Sequence, residues 1–444
     1  MENSPTHTPC SDPHWVATAR FYHIFPLGFS TRGEGLARLT AALDPIVEMG
    51  FNAIYAGPLW HSHSHGYDTI DYGTVDPRLG NNEDLKRFVT EAHKRGIKVV
   101  LDGVFNHVGR GFHAFEDLLE NHENSAFAHW FGPVQFHKNN AYNDGLSYQC
   151  WEGSQDLVQL DTANPDVIDY LLGMVDQWVR EFQIDGLRLD AADCVSPLFW
   201  ERLRHQCDGY GEFWLMGEVI HGDYNRWLGE KGFHAVTNYE VHKGLWSSFK
   251  DHNLFEIAYS LRRQFGEGGI YERYCLYNFL DNHDVTRVAS RLKTKRQLIP
   301  MHLLLYTVPG IPSIYYGSEW YAKGRKKRSD DWHLRPSEEV WASLSSGSPS
   351  LRDYIVGLNA MRRDHPVLAT GRYKELLVQS DQLVFERRDH NETLICCING
   401  APSPVRVALP LPKGHYEDIL TGTNMEIDDG CTLPPCGGRV LKVK

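Results

Sequence analysis

Short apolar runs alternate along this chain with longer stretches whose apolar positions recur every three to four residues. The strand-like runs cover residues 21–26, 53–59, 97–105, 186–191, 213–219, 235–241 (the weakest), 275–280 and 312–316. Helical spacing covers 36–49, 85–95 (stopped by Gly96), 167–182 and 297–306. Strands fed by intervening helices imply a parallel sheet with crossovers.

Eight such strands are the number that closes a barrel. The fold class is therefore α/β, a (β/α)8 TIM barrel, expected over residues 15–107 and 163–360. A doubly wound open sheet is the alternative, but it seldom needs eight repeats, and no Gly-rich phosphate turn follows the first strand. The third and fourth strands stand much farther apart than one helix requires. Residues 108–162, rich in aromatics, His and Asn, are read as an inserted subdomain. After Asp364-His-Pro366 short β-type runs (383–387, 394–399, 405–409) alternate with Pro and Gly turns. Residues 365–444 are read as a small antiparallel β domain of sandwich type.

Composition narrows the class. The 444 residues are 42% hydrophobic and 23% charged, which suits a soluble globular chain with a large core. A formal net charge of −12 argues against broad binding to nucleic acid or an anionic membrane. No basic start leads into an apolar core at the N-terminus, and no stretch approaches a bilayer span. Nine Cys at irregular spacing read as reduced thiols in a cytoplasm, with Cys431 and Cys436 the pair that could bridge or bind metal. The run Lys323-Gly-Arg-Lys-Lys-Arg328 reads as a solvated loop; its sharper alternatives are a phosphate contact or a localisation signal. His61-Ser-His63-Ser-His65 likewise reads as solvated rather than metal-binding, because no second ligand cluster closes a site.

Four segments carry the chemistry: Asp102-Gly-Val-Phe-Asn106-His107, Gly186-Leu-Arg188-Leu-Asp190, Met216-Gly-Glu218-Val and Phe279-Leu-Asp281-Asn-His283-Asp284. Each is a short apolar run ending in acids, a His or an Arg. Acids at the carboxyl ends of successive barrel strands converge on one pocket. Glycoside cleavage needs two carboxyl groups flanking the bond, with a further acid to stabilise positive charge at the sugar carbon. Asp190, Glu218 and Asp284 are the candidate set. Arg188 stands two residues before Asp190, on the same face of its strand, and a guanidinium there favours an ionised carboxylate.

In order and spacing these motifs resemble the alpha-amylase family of retaining glycoside hydrolases and transglycosylases, in its neopullulanase and cyclomaltodextrinase branch. The resemblance runs from Phe21 to about Pro336, with a weaker echo in the C-terminal domain. It implies Asp190 as the nucleophile forming a β-glycosyl-enzyme, Glu218 as general acid/base raised in pKa by burial and negative neighbours, and Asp284 as transition-state stabiliser. It implies Tyr67 stacking under the sugar of the cleaved subsite, beside Asp68, His107, Arg188 and His283. Asp331 and Arg335 match a pair anchoring the same ring. Asn106 and Asp161 match positions that hold a structural calcium, with no cofactor needed for the chemistry itself.

Three departures qualify it. Asp193-Cys194 stand where many amylases have Lys-His, Ile220 stands where relatives acting on cyclodextrins often have an aromatic, and the extra N-terminal domain of those relatives is not expected. The reading is a cytoplasmic enzyme hydrolysing α-glucosidic bonds, mainly α-1,4, of malto-oligosaccharides or related short glucans by double displacement. Retention predicts that the Asp190 and Glu218 carboxyls lie about 5–5.5 Å apart. Rivals are a transglycosylase using the same pocket, a phosphodisaccharide hydrolase using the Lys323–Arg328 loop, and a non-catalytic sugar-binding barrel. The expected partner is the oligosaccharide substrate; no nucleic acid or membrane is expected, and the residues select no oligomeric state.

Overall fold

The computed structural model describes residues 12–30, 33–327, 331–346, 350–409 and 411–443. Eight parallel strands make one sheet: β1 (Phe21–Ile24), β2 (Ala53–Ala56), β3 (Lys98–Gly103), β4 (Gly186–Leu189), β5 (Trp214–Gly217), β6 (Ala235–Val236), β7 (Tyr277–Phe279) and β8 (Ile311–Tyr315). They lie in the order β6-β5-β4-β3-β2-β1-β8-β7, so every strand sits beside its neighbours in sequence. A parallel bridge between Thr237 and Tyr277 joins β6 to β7 and closes the barrel, with the Asn238 N–H donating to the Tyr277 carbonyl at 2.9 Å.

Alternation along the strands sorts two cores. Phe21, Tyr55, Val100, Trp214, Met216, Tyr277 and Phe279 pack together inside the barrel. Trp15, in the turn before β1, stacks edge-on against Trp214 and tilts against Phe21. The alternate residues, such as Ile54, Leu101, Leu187, Leu215 and Ile314, face the surrounding helices in a second, larger cluster. Because both faces are buried, the strands read as continuous apolar runs.

Two elements differ from the sequence expectation. The sixth strand stops at Val236: Asn238 caps the helix Tyr239–Lys250 by accepting from the Val241 N–H, so 239–241 are already helical. The single helix expected over 36–49 is two, Gly35–Ala41 and Leu43–Glu48, with the break just before Pro45, whose ring nitrogen has no proton to donate back across it.

Between β3 and β4 the chain forms a three-stranded sheet (His107–Gly109, Cys150–Trp151, Ser154–Gln159) and the helix His113–Asn121. After the barrel, a six-stranded antiparallel sheet and a two-stranded one enclose their own core around Val384, Ile395, Val407 and Leu441. Fully buried Arg387 ties this unit to the barrel by donating to the carbonyls of Thr307 and Leu368. The eight described cysteines are free. Cys431 meets Cys397, and Cys436 approaches the Gly400 carbonyl, so the two face different partners.

Candidate active site

Strand register builds the site. Asp102 on β3 and Met216 on β5 both stand level with Arg188 on β4. Asp190 and Glu218 follow two residues further on, one layer nearer the strands' carboxyl ends. Period-two alternation therefore points Arg188, Asp190 and Glu218 to one side. The Arg188 side chain, 3% exposed, meets Asp102 Oδ1 and Asp190 Oδ1 through Nη1 at 2.8 Å each and Glu218 Oε2 through Nη2 at 2.6 Å. One cation thus spans three carboxyl groups.

That imbalance sets the protonation. Burial pushes the Asp190 carboxyl well above the usual carboxylate range; Arg188 pulls it down, while Glu218 and Asp102 push it further up. Asp190 thus meets one cation and two further acids within a buried cluster. Around them, Asp102 Oδ2 accepts from the hydroxyls of Tyr55 (2.9 Å) and Tyr67 (3.0 Å). Glu218 accepts from the Tyr239 hydroxyl at 3.1 Å and the Ala191 N–H at 3.3 Å. Ala191 is left-handed (φ 43°, ψ 46°), a conformation costing a non-glycine residue about 1 kcal/mol or more. The turn it makes lets the Ala192 N–H reach the Glu218 carbonyl at 3.0 Å.

Asp284 reaches the same pocket from the loop after β7. Its Oδ2 is 2.9 Å from His283 Nε2, and its Oδ1 is 3.6 Å from Arg335 Nη2. Burial works against its charge, but His283, Arg335 and Arg188 outweigh burial and hold the carboxyl below its ordinary value. Tyr67 stacks on His283 with ring centroids 5.6 Å apart, its hydroxyl 2.5 Å from Nε2. Arg335 lies over the Phe25 ring at 4.1 Å. Asp331 stands at the rim with a buried Oδ1 that has no partner. His107 is buried, stacked on Trp151 at 5.8 Å, and burial lowers its imidazole to about 4, so it is neutral at pH 7.

Not every expected residue faces the pocket freely. Asp68 is saturated by its own turn: Oδ2 accepts from the Ser64 N–H and hydroxyl, Oδ1 from the N–H groups of His65 and Gly66. Its carboxylate holds the loop that presents Tyr67. Asn106 has a buried side-chain oxygen without a partner, while its amide nitrogen meets His107 at 3.2 Å. Asp161 accepts from the Ala163 N–H and lines a cavity of about 700 Å³ with Phe131, Phe136, Gln159 and Ser196, none of them a catalytic candidate. One orphaned amide oxygen and one part-engaged carboxylate are two of the six to eight oxygens calcium takes, the others of which backbone carbonyls and waters can supply.

Sequence reasoning passed over Tyr55, Trp151, Tyr239 and Asn282 as site residues. Asn282 donates to the Tyr239 hydroxyl at 3.0 Å and accepts from the Asp284 N–H at 2.9 Å, linking the Glu218 and Asp284 sides. Asn282 lies within a quoted motif; Tyr239 opens a helix and carried no local signal.

Comparison with known proteins agrees with this geometry. The alpha amylase catalytic-domain model matches residues 24–353, and the alpha amylase C-terminal all-beta domain matches 376–443. A cyclomaltodextrinase from a Bacillus species is 32% identical, covering 93% of this chain and 78% of the relative. An intracellular maltogenic amylase of Bacillus subtilis (strain 168) is 30% identical, covering 95% and 74%. Among solved structures, the Nostoc punctiforme debranching enzyme soaked with acarbose superposes with a TM-score of 0.82 at 29% identity, covering 98% of this chain and all of that one.

Proposed function

The chain belongs to the alpha-amylase family of glycoside hydrolases, and on that premise we propose that it hydrolyses α-glucosidic bonds, mainly α-1,4, in malto-oligosaccharides or related short glucans with retention of configuration. One observation supports the reading above the rest: a single buried guanidinium contacts both Asp190 and Glu218, so the two carboxyl groups share one place in the pocket, as double displacement requires. We take residues 15–107 and 163–360 as the catalytic barrel, 108–162 as the inserted subdomain and 365–444 as the C-terminal domain.

The mechanism assigns each group a step. The Asp190 carboxylate attacks the anomeric carbon from the β face as Glu218 gives its proton to the departing glycosidic oxygen. The aglycone leaves with that proton, and a β-glycosyl ester remains on Asp190. Glu218, now ionised, takes a proton from water, whose oxygen displaces Asp190 and restores the α configuration. Both transition states place positive charge on the ring oxygen and anomeric carbon, and the ionised Asp284 opposes that charge. Tyr67 lies under the ring, its hydroxyl fixed by Asp102 and His283. His107, neutral, donates to sugar hydroxyls, and Arg335 and Asp331 hold the rim side.

No helix of the described residues is long and apolar enough to cross a membrane. We place the enzyme in the cytoplasm, in keeping with its intracellular Bacillus relative. The test is to incubate the protein with maltotriose and maltoheptaose and follow products by size and anomeric NMR. Shorter sugars released as the α-anomer are expected. β-anomers overturn retention, and longer sugars appearing as fast as shorter ones overturn hydrolysis in favour of transfer.

A further inference from the structure

The chain carries a formal charge of −12, yet two of its segments concentrate positive charge. Residues 291–296 read Arg-Leu-Lys-Thr-Lys-Arg and 323–328 read Lys-Gly-Arg-Lys-Lys-Arg, together nine of the 45 Lys and Arg. Between Val285 and Arg328 the sole acid is Glu319, which is fully buried and hydrogen-bonded to Tyr22 and Trp341.

The fold brings residues 291–296 and 323–327 together on the catalytic face, Arg328 lying outside the described residues. They follow β7 and β8, whose loops in barrels of this class frequently build phosphate sites. The Gly324 N–H donates to Ser290 Oγ at 2.9 Å, and Arg325 Nη2 to the Ser290 carbonyl at 2.7 Å. The Lys326 N–H donates to Thr286 Oγ1 at 3.0 Å, two residues beyond Asp284. Lys295 reaches across to the Tyr321 ring. Lys293, Lys295 and Arg296 on one segment, and Lys323, Arg325, Lys326 and Lys327 on the other, are all exposed. None of them is within ion-pairing distance of a described carboxylate, and Lys326 is the one that acts on a nearby acid, pulling the Asp331 carboxyl down against burial.

A solvated loop needs no second basic segment pinned beside it, nor a backbone bond to the strand-7 loop that carries Asp284. We infer that this surface binds an anionic substituent, a phosphate monoester, borne by an α-glucan whose neutral ring occupies the pocket. The substrate class is then a phosphorylated malto-oligosaccharide cleaved at an unmodified glucosyl unit, with the phosphate on the side of the pocket that holds Asp284 and Arg335. The ammonium groups act as point charges on a flexible stem, so they tolerate variation in where the ester sits. The binding energy comes from a part of the substrate remote from the bond, so it appears mainly in KM.

This inference rests on the proposed hydrolase reading, and one experiment separates the two. Maltodextrins carrying glucose 6-phosphate units are compared with neutral ones of equal length at 50 mM and 500 mM salt. The wild-type protein is expected to favour the phosphorylated substrate about fivefold or more in kcat/KM at low salt, and less than about twofold at high salt, where screening shortens to a few ångström. The triple variant Lys323→Gln, Lys326→Gln, Lys327→Gln should lose that preference and keep neutral-substrate activity; Lys293→Gln with Arg296→Gln should lose part of it. Equal preference in wild type and triple variant overturns the proposal. So does inhibition by single-stranded DNA or phosphatidylserine vesicles as strong as that by the phosphorylated maltodextrin. If neutral maltodextrins are not cleaved at all, the hydrolase reading fails by itself. Calorimetric binding of the phosphorylated maltodextrin to wild type and triple variant then decides the surface: tenfold weaker binding to the variant supports it, and equal binding overturns it.

Discussion

Two walls of one pocket carry aspartates that are driven in opposite directions, one buried and one partly exposed. On the β4–β5 wall, Asp190 shares one guanidinium with Glu218 and Asp102, and burial lifts its carboxyl well above the usual range. On the wall formed after β7 and β8, Asp284 meets His283 and Arg335 and feels Arg188, with Asp331 as the one further acid named there, and its carboxyl is held below its ordinary value. Residue type is alike, but the Asp284 side chain is 31% exposed against 11% for Asp190, and the ratio of cations to acids differs as well. A pocket that must store one transferable proton and one permanent negative charge is built by distributing cations unevenly between its walls.

The largest expected effect comes from the first wall. Asp190→Asn removes the proposed nucleophile and should lower kcat by about 10⁴-fold or more, with the circular dichroism spectrum unchanged. Full activity in that variant would sink the assignment. Asp284→Asn removes charge stabilisation but no covalent step, so a loss of about 10²–10³-fold in kcat is expected. The same pair should split in stability. A carboxyl raised by folding is most favourable at low pH and loses that advantage as pH rises through its folded value. A carboxyl lowered by folding contributes above its unfolded value, about 3.9, and loses that as pH falls. At pH 7, therefore, Asp190→Asn should leave Tm equal or higher, and Asp284→Asn should lower it by a degree or more, read by scanning calorimetry. Equal shifts in the two variants would erase the contrast.

The contrast also fixes the acid side of the pH profile. Asp190 attacks only when ionised, so activity is present above its raised pKa and lost as pH falls through it. The acid limb of kcat/KM should therefore turn above pH 4, the ordinary range for Asp. Asp284, held low, contributes nothing to that limb. An acid limb at pH 3 or below would mean that Arg188 outweighs burial at Asp190.

Much of this was legible in the residues, for physical reasons. Strands buried on both faces must be apolar throughout, so β1, β2, β3 and β8 announce themselves, and their acid-bearing ends fix the pocket. What was hidden depends on partners distant in sequence. Asp68 looks like a sugar ligand until its four hydrogen bonds to residues 64–66 are seen. The run after Val236 looks like strand because Asn238 reads equally well within a loop or as a cap. The 323–328 run looks like a solvated loop until 290–296 is found beside it.

The smallest expected effect tests how far the two walls are independent. The Tyr239 hydroxyl donates to Glu218 Oε1 at 3.1 Å and accepts from Asn282 Nδ2 at 3.0 Å, and Asn282 in turn accepts from the Asp284 N–H. This chain joins the acid/base on one wall to the loop holding the charge on the other. Tyr239→Phe keeps the ring against Phe279 and deletes the link alone. A hydrogen bond to a charged group is worth about 1.5–3 kcal/mol, but Glu218 keeps Arg188 and the Ala191 N–H, so only part of that is lost. A three- to tenfold fall in kcat with little change in KM is expected, because the link positions the acid/base rather than the sugar. A fall as large as that of Asp284→Asn would show that the walls act as one unit. No change in either constant would show that the uneven placement of cations suffices without the bridge.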